Sequence, residues 1–286
     1  MKKTISIIIA IALTGFLIYS VTFHKKEIPV EKPGKVATTA AYEKYFGTAP
    51  SVDKGTAYAF VIYFPSSKAP GKVVPFPFFT FDEGSIKKVA VERLLGSMDI
   101  GSYQGEFVPF PSGTRLIAVN DDKGTITANF SKELDKSPDA GITHALVLTL
   151  RQFKGVKDIR LQVEEEDSQL NHLIKSIDES VVQQPSPPRL LSVTAMRDKG
   201  AKDIEDVNAF FDRPVEVKEL QLLSKDGQQF VGELFHSVFD MAAVLKPKDP
   251  AQFKENMEIK ARWKVVDKLG RQAEGDKIWA LEVNEH

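Results

Sequence analysis

The side chains able to do chemistry in this 286-residue chain are carboxylates and a few histidines, because it contains no cysteine. Missing thiols exclude disulfides, thiolate metal sites and cysteine nucleophiles. Acidic neighbours recur at Asp121-Asp122 and Glu164-Glu165-Glu166-Asp167, and Glu92 stands beside Arg93. A glycosidase needs two carboxyls facing each other across a cleft, one with a raised pKa, and neighbouring residues do not supply that. Calcium needs an oxygen-rich loop of set spacing, which does not surround Glu164–Asp167. This run reads as a solvated helix start. His144 falls beside the apolar stripe of a helix, His172 follows Asn171 on a polar face, and His24 flanks an apolar segment. His236 stands alone in its part of the chain, and one imidazole does not make a metal site. HExxH, GxSxG, P-loop and GxGxxG patterns are absent. The expectation is a chain with no catalytic residue, no cofactor and no metal.

The bulk properties narrow the partners. A formal net charge of −1 gives no global basic field for nucleic acid. Met1-Lys2-Lys3 precedes Thr4–Phe23, which carries no charge. At ~1.5 Å rise per residue that stretch crosses a hydrocarbon core of ~30 Å. Signal-peptide apolar regions are shorter and end near a small-x-small site, for which Ser20-Val21-Thr22 is a poor match. Residues 1–23 are therefore expected to be an uncleaved transmembrane helix, a single-pass anchor with the bulk of the chain extracytoplasmic. Lys2 and Lys3 face His24, Lys25 and Lys26 across it, so the charge balance is nearly even. No cysteine follows it to carry a lipid.

Residues 24–54 read as a stalk, punctuated by Pro29, Pro33, Gly34 and Pro50, with Tyr42, Tyr45 and Phe46 able to form a small helical patch within it. From 55 to 182 the pattern is α+β. Leu116 and Ala118, then Ile126, Ala128 and Phe130, alternate with polar residues on either side of a turn at Asp121–Gly124. Ser137 is placed to cap a helix, with Pro138 in its first turn and Asp139 at its positive end. Ile142, Ala145, Leu146, Thr149, Leu150 and Phe153 form one apolar stripe, Gly155 ends the helix, and Ile159, Leu161 and Val163 alternate again. A third amphipathic helix follows through Leu170, Leu173, Ile174, Ile177 and Val181. Val73–Phe81 is aromatic, and its prolines suit an edge strand. Phe76, Phe78, Tyr103 and Phe107 are candidate stacking residues for a ligand or partner surface, set against the plainer reading of aromatics lying under the core.

This segment resembles the GerMN domain of sporulation and spore-germination proteins. The resemblance rests on Phe110-Pro111-Ser112-Gly113-Thr114-Arg115-Leu116, on Thr125-Ile126-Thr127-Ala128-Asn129-Phe130-Ser131-Lys132-Glu133-Leu134 and on Thr149-Leu150-Arg151-Gln152-Phe153-Lys154-Gly155-Val156-Lys157. The strand Ala57–Phe64 and the helix Ile86–Leu95 sit where the family places them. It implies a small mixed sheet packed by the helices Ser85–Met98 and Pro138–Phe153. The family's last strand usually closes on a short glycine turn, whereas Val163 runs into the glutamates. As partners, the resemblance implies self-association or other envelope proteins; peptidoglycan and an exported ligand are alternatives, and a hydrolase using Asp or Glu ranks last.

Residues 183–188, Gln-Gln-Pro-Ser-Pro-Pro, read as a stiff linker. From 189 to 286 about seven short strands suggest an immunoglobulin-like β-sandwich: Leu190–Met196, Asp206–Phe211, Glu219–Leu223, Phe230–Leu234, Met241–Leu245, Glu258–Val265 and Ile278–Val283. Hairpin turns are expected at Asp226-Gly227 and Leu269-Gly270, a core anchor at Trp263, and bends at Gly232 and Gly275. Val207–Val215 and Arg262–Gly275 resemble the CopC-like periplasmic copper carriers. That family's histidine after the turn corresponds to Arg271 and its turn aspartate to Leu269, so the resemblance implies the fold without the metal.

Overall fold

The computed structural model describes residues 34–136 and 138–286. The expected anchor 1–23, the first part of the expected stalk and Ser137 lie outside the described residues. Among the described residues no helix is long and apolar enough to cross a membrane. Residues 34–286 form one compact unit holding two apolar cores. The chain is mixed α+β and rich in sheet.

The first core begins earlier in the chain than the sequence suggests. Lys35–Thr38 is strand β1, parallel to the start of β2 (Thr56–Pro65). Ala40–Phe46 is helix α1, capped by Thr39, whose Oγ1 accepts from Tyr42 N at 3.1 Å. Tyr42, Tyr45 and Phe46 are buried, with Tyr45 edge-on to Tyr63 and Tyr42 edge-on to Phe79. Residues 34–54 thus complete the domain instead of forming a stalk. Burial of a large apolar side chain contributes ~1.5–3 kcal/mol, which outweighs the turn-rich composition around these three aromatics.

β2 pairs antiparallel with β3 (Val73–Thr80), closing a sheet of order β1-β2-β3. β3 is an edge strand, and Pro75 and Pro77 alternate so that their missing N–H groups both fall on its outer side. After helix α2 (Ile86–Leu95) comes a second sheet, of β4 (Leu116–Asp122), β5 (Thr125–Phe130), β6 (Asp158–Val163) and β7 (Glu166–Asp167), in that order. β5 and β6 are parallel. Their crossover contains helix α3 (Ala140–Arg151), which packs on β2 of one sheet and β6 of the other. The single small sheet expected from sequence is therefore two sheets sharing one helix. From 141 to 150 every residue of α3 is buried except half-buried His144, so the helix is more enclosed than a single stripe indicates. Its observed cap is Asp139, whose Oδ1 accepts from Ile142 N at 3.0 Å.

Helix α3 also completes a strand. β1 pairs with β2 only as far as Ala59, leaving the backbone beyond it without a neighbour on that edge. Gln152 fills the gap: its Oε1 accepts from Val61 N at 2.8 Å and its Nε2 donates to Val61 O. Thr149 Oγ1 accepts from Tyr63 N at 3.1 Å. An unmet buried amide costs ~1–3 kcal/mol, so these two side chains substitute for a strand.

The amphipathic helix expected from Leu170 to Val181 is two 3₁₀ segments, Gln169–Ser176 and Glu179–Val181. Leu170, Ile174 and Ile177 are buried, and Arg151 Nη1 donates to Ile177 O at 2.8 Å. The linker 183–188 is packed down as well. Gln183 N donates to Val73 O at 2.8 Å, and Pro185 and Pro188 are buried.

The C-terminal domain is a sandwich of eight strands: β8 (Leu190–Arg197), β9 (Asp206–Phe211), β10 (Val215–Leu223), β11 (Gly232–His236), β12 (Ala242–Pro247), β13 (Glu258–Asp267), β14 (Gln272–Ala280) and β15 (Glu282–Glu285). One sheet runs β11-β12-β9-β8-β15, the other β10-β13-β14. The last strand expected from sequence is divided between them. β14 pairs with β13 and β15 runs parallel to β8, with fully buried Leu281 at the crossing. The turn at Leu269–Gly270 joins paired strands. The turn at Asp226–Gly227 closes a short antiparallel bridge, Leu223 to Gln229, with Ser224 N donating to Gln228 O at 2.8 Å and Phe230 N to Leu222 O at 2.9 Å; beyond it the chain passes to the opposite sheet, where β11 pairs with β12. Trp263 is half-buried, and the centre of the core belongs to Ile259, Ala261 and Val265. The indole instead lies over Gly275 of the paired strand, where a Cβ would stand 2.2 Å from its Cζ2. Gly275 is therefore a seat for the ring and not a bend.

The β6–β7 connection closes tightly without the glycine that the family resemblance implies. Val163 pairs with Glu166, so Glu164 and Glu165 form a two-residue loop with φ of 50° and 73°. Both occupy the left-handed region that such a hairpin loop requires, and Glu165 N is held by Asn129 Oδ1 at 3.1 Å. A non-glycine residue in that region costs ~1–2 kcal/mol. Glu165→Gly is expected to raise unfolding stability by ~0.5–1 kcal/mol in urea titration, after glycine's larger unfolded-state entropy is subtracted. Glu166→Gly, in extended backbone, is expected to lower it.

Candidate functional site

The four aromatics proposed from sequence as a stacking surface occupy two places, and neither presents an open face. Phe76, Tyr103 and Phe107 are buried in one cluster with Phe64. Phe76 meets Tyr103 at 5.0 Å and Phe107 at 5.5 Å, both edge-on, and Phe64 meets Phe76 at 5.6 Å. Phe78 is half-buried, between Phe60 at 5.3 Å and the Arg93 guanidinium at 5.3 Å. The ring faces are committed to one another, so this set is core and not a ligand platform. The opposite face of β3 is covered too, because Phe79 stacks on Phe239 of the sandwich at 4.4 Å and 9°.

The same cluster leads to a buried group of charges, Asp212, Arg213 and Asp267, at the junction of the two domains. Tyr103 Oη donates to Asp212 Oδ2 at 2.7 Å. Asp212 Oδ2 also accepts from Arg213 Nη2 at 2.9 Å, and its Oδ1 accepts from Arg213 Nε at 3.0 Å and Arg189 N at 3.1 Å. Asp212 and Arg213 are almost wholly buried. The other guanidinium nitrogen, Nη1, is a buried atom without a hydrogen-bond partner, 3.7 Å from Asp267 Oδ2. Asp267 organises the β13–β14 turn: its Oδ1 accepts from Leu269 N and Arg271 N at 3.0 Å each, and its Oδ2 accepts from Arg271 Nε at 2.6 Å.

Two further arginines reach across the junction. Arg271 Nη2 donates to Tyr45 O at 2.7 Å and Nη1 to Pro185 O at 3.5 Å. The position that the CopC-like resemblance assigns to an imidazole here clamps two domains and their linker. Arg189 lies 4.0 Å above the Tyr103 ring and donates to Ser102 O and Glu106 Oε1, each at 2.9 Å. Gly101 permits this approach. It has φ of 52°, and a Cβ there would lie 2.1 Å from Leu191 O. Burial, then the charge of Asp212, raises the Tyr103 phenol well above its ordinary range. Glu106 is held below its ordinary 4.5: burial pushes it up, but hydrogen bonds from Arg189 and Lys68 outweigh that.

Sequence reasoning did not assign a role to Arg189, Asp212, Arg213, Asp267 or Arg271, since the contacts that join them across the domains come from residues distant in the chain. The local signals are the adjacent pair Asp212-Arg213 within an otherwise apolar stretch and the i,i+4 pair Asp267 and Arg271 around the Leu269–Gly270 turn. The histidines considered from sequence do not converge. His144 Nδ1 contacts Gly71 O at 2.7 Å, His172 Nδ1 contacts Gln169 O, and His236 is exposed on β11. His286, not singled out by any motif, lies near Asp198 and Glu205.

Two clefts lie near these groups. One, of about 390 Å³, lies between α1, α3 and the Glu179–Val181 turn. The Lys44–Glu179 ion pair borders it, and Arg151 and Gln152 in its wall are held by backbone carbonyls. The other, of about 420 Å³, is an apolar groove at the domain junction, lined by Ile100, Leu191, Phe210 and Met241 among others. The buried carboxylates Asp212 and Asp267 have filled acceptor sets and open into neither cleft. The arrangement is suited to holding two modules in a fixed relation.

The fold and junction define an α+β module joined to a β-sandwich. Residues 61–169 match the Germane family, described as sporulation and spore germination, which makes the first module GerMN-like. Among solved structures, the first GerMN domain of the sporulation protein GerM from Bacillus subtilis is similar over 37% of this chain and 83% of its own, at 23% identity and a TM-score of 0.31. The tandem GerMN domains of that protein cover 69% of this chain and 63% of their own, at 15% identity and a TM-score of 0.32. CopC from Methylosinus trichosporium OB3b covers 33% of this chain and 89% of its own, at 14% identity and a TM-score of 0.24. No curated protein matches the chain.

Removing one member of a buried ionic network leaves the others uncompensated, at ~3–5 kcal/mol. Asp212→Ala is expected to lose that much in urea titration, while Tyr103→Phe, which leaves Asp212 bonded to Arg213, is expected to lose only ~1–2 kcal/mol. The Glu106 contribution carries the sign of a depressed carboxylate. It is present above the ordinary 4.5 and lost as pH falls through the lower folded value. Thermal midpoints of Glu106→Gln should therefore lie below wild type at neutral pH and converge with it below about pH 4.5.

Proposed function

We propose that this chain is a non-catalytic, membrane-anchored protein of the cell envelope, with the bulk of it outside the cytoplasmic membrane. Its GerMN-like domain serves assembly or recognition, in sporulation or germination or in a general envelope role. The observation that carries this reading is the family match over residues 61–169, taken with where the matched residues go. Thr149 and Gln152 complete β2, Arg151 fastens the 3₁₀ segment, and Asp139 caps α3. Residues of the recognised pattern maintain the shape, so function falls to the surface that this shape presents. The uncharged stretch Thr4–Phe23 supports the anchor and, through it, the location. Exposed apolar side chains such as Phe81, Ile100, Leu234 and Phe235 are candidates for contact with another copy or another envelope protein.

The test is light scattering on residues 34–286, which include β1 and α1 and so retain the complete first core. Concentration-dependent assembly is the expected outcome. A strictly monomeric species that sediments with insoluble peptidoglycan would replace assembly by wall binding, and hydrolysis of that material would overturn the non-catalytic reading.

A further inference from the structure

Asp198, Glu205 and His286 come from three separate places in the sandwich: just after β8, just before β9 and just after β15. The sheet order β9-β8-β15 brings them to one end. The backbone fixes them there: Lys199 N donates to His286 O at 3.2 Å, His286 N to Arg197 O at 3.2 Å and Glu205 N to Met196 O at 2.8 Å. His286 Nε2 lies 3.3 Å from Asp198 Oδ1 and 3.1 Å from Glu205 Oε2, and one ligand atom from each residue falls within 4.8 Å of the others. All three side chains are exposed, so an ion can enter with part of its water.

We propose that these three side chains bind one zinc ion, independently of the envelope role above. Tetrahedral zinc has bonds of ~2.0–2.1 Å to nitrogen and oxygen, hence ligand-to-ligand edges of ~3.3–3.4 Å. Both imidazole–carboxylate separations already stand close to that edge. Two carboxylates and a neutral imidazole sum to −2, which complements a dication. The nitrogen ligand separates zinc from magnesium and calcium, which take oxygen sets. The competing occupant is a proton on His286, which would hold both carboxylates as ion pairs.

The test is isothermal titration of the untagged full chain with zinc chloride at pH 7.5. One equivalent is expected to bind. His286→Ala, Asp198→Asn and Glu205→Gln are each expected to weaken binding more than about tenfold, while His236→Ala leaves it unchanged. A tenfold excess of magnesium should not displace the zinc. The proposal fails if wild type binds no more zinc than the triple variant, which is the result for a proton alone. It fails equally if the three substitutions leave the affinity intact, which places the zinc elsewhere.

Discussion

The buried charge pair Asp212–Arg213 is the constraint around which the two domains are arranged. Taking these groups out of water costs several kcal/mol per ion, and the protein offsets that by filling the carboxylate's acceptor sites. One of its donors, the Tyr103 hydroxyl, comes from the other domain. The loop that carries Tyr103 is in turn held by Arg189, through Ser102 and Glu106. Separating the domains would expose a carboxylate missing a partner and an aromatic cluster missing a wall, so the α+β module and the sandwich depend on each other. Such a network is weak evidence for high stability, because apolar groups can fill the same volume. What it supplies is one preferred arrangement.

Helix α3 plays the corresponding part inside the first domain. It is the crossover between two parallel strands, and it lies against both sheets. Its residues therefore answer to several neighbours at once: aliphatic side chains to two sheets of one core, Thr149 and Gln152 to the unpaired backbone of β2, and Arg151 to the carbonyls of the following 3₁₀ turn. A short β1 is sufficient only because these side chains continue its hydrogen bonding. The residues by which the GerMN pattern is recognised in sequence are thus explained by the backbone they satisfy, without reference to a ligand.

In the sandwich, Arg271 serves as a clamp. Arg271 occupies the place where the CopC-like resemblance sets an imidazole, and its guanidinium bonds Asp267, Tyr45 and Pro185. A planar group with several fixed donors suits contact with carboxylates and carbonyls in different elements, whereas a single imidazole could not reach all three. His286 lies at the end of the β9-β8-β15 sheet beside Asp198 and Glu205, residues that no spacing rule connects.

Periodicity revealed the β4–β5 hairpin, helix α3, the strand β6 and the alternating face of β13 through Ile259, Ala261 and Val265, and the family resemblance implied helix α2. These depend on neighbours within a few residues, so local sequence determined them. Tertiary structure decided the rest. α1 shows in the sequence only as a small helical patch in a stalk-like stretch, because its three aromatics acquire a partner surface only when β2 and β3 are present. The final strand was read as one run because Leu281 is apolar in either sheet, and only the packing of both sheets places the crossing there. Phe76, Tyr103 and Phe107 look the same in sequence whether exposed or enclosed, and their burial follows from rings contributed by residues far along the chain. The buried charges are the extreme case, since a carboxylate's cost or benefit is set by donors 109 and 23 residues away, and no local pattern encodes that distance.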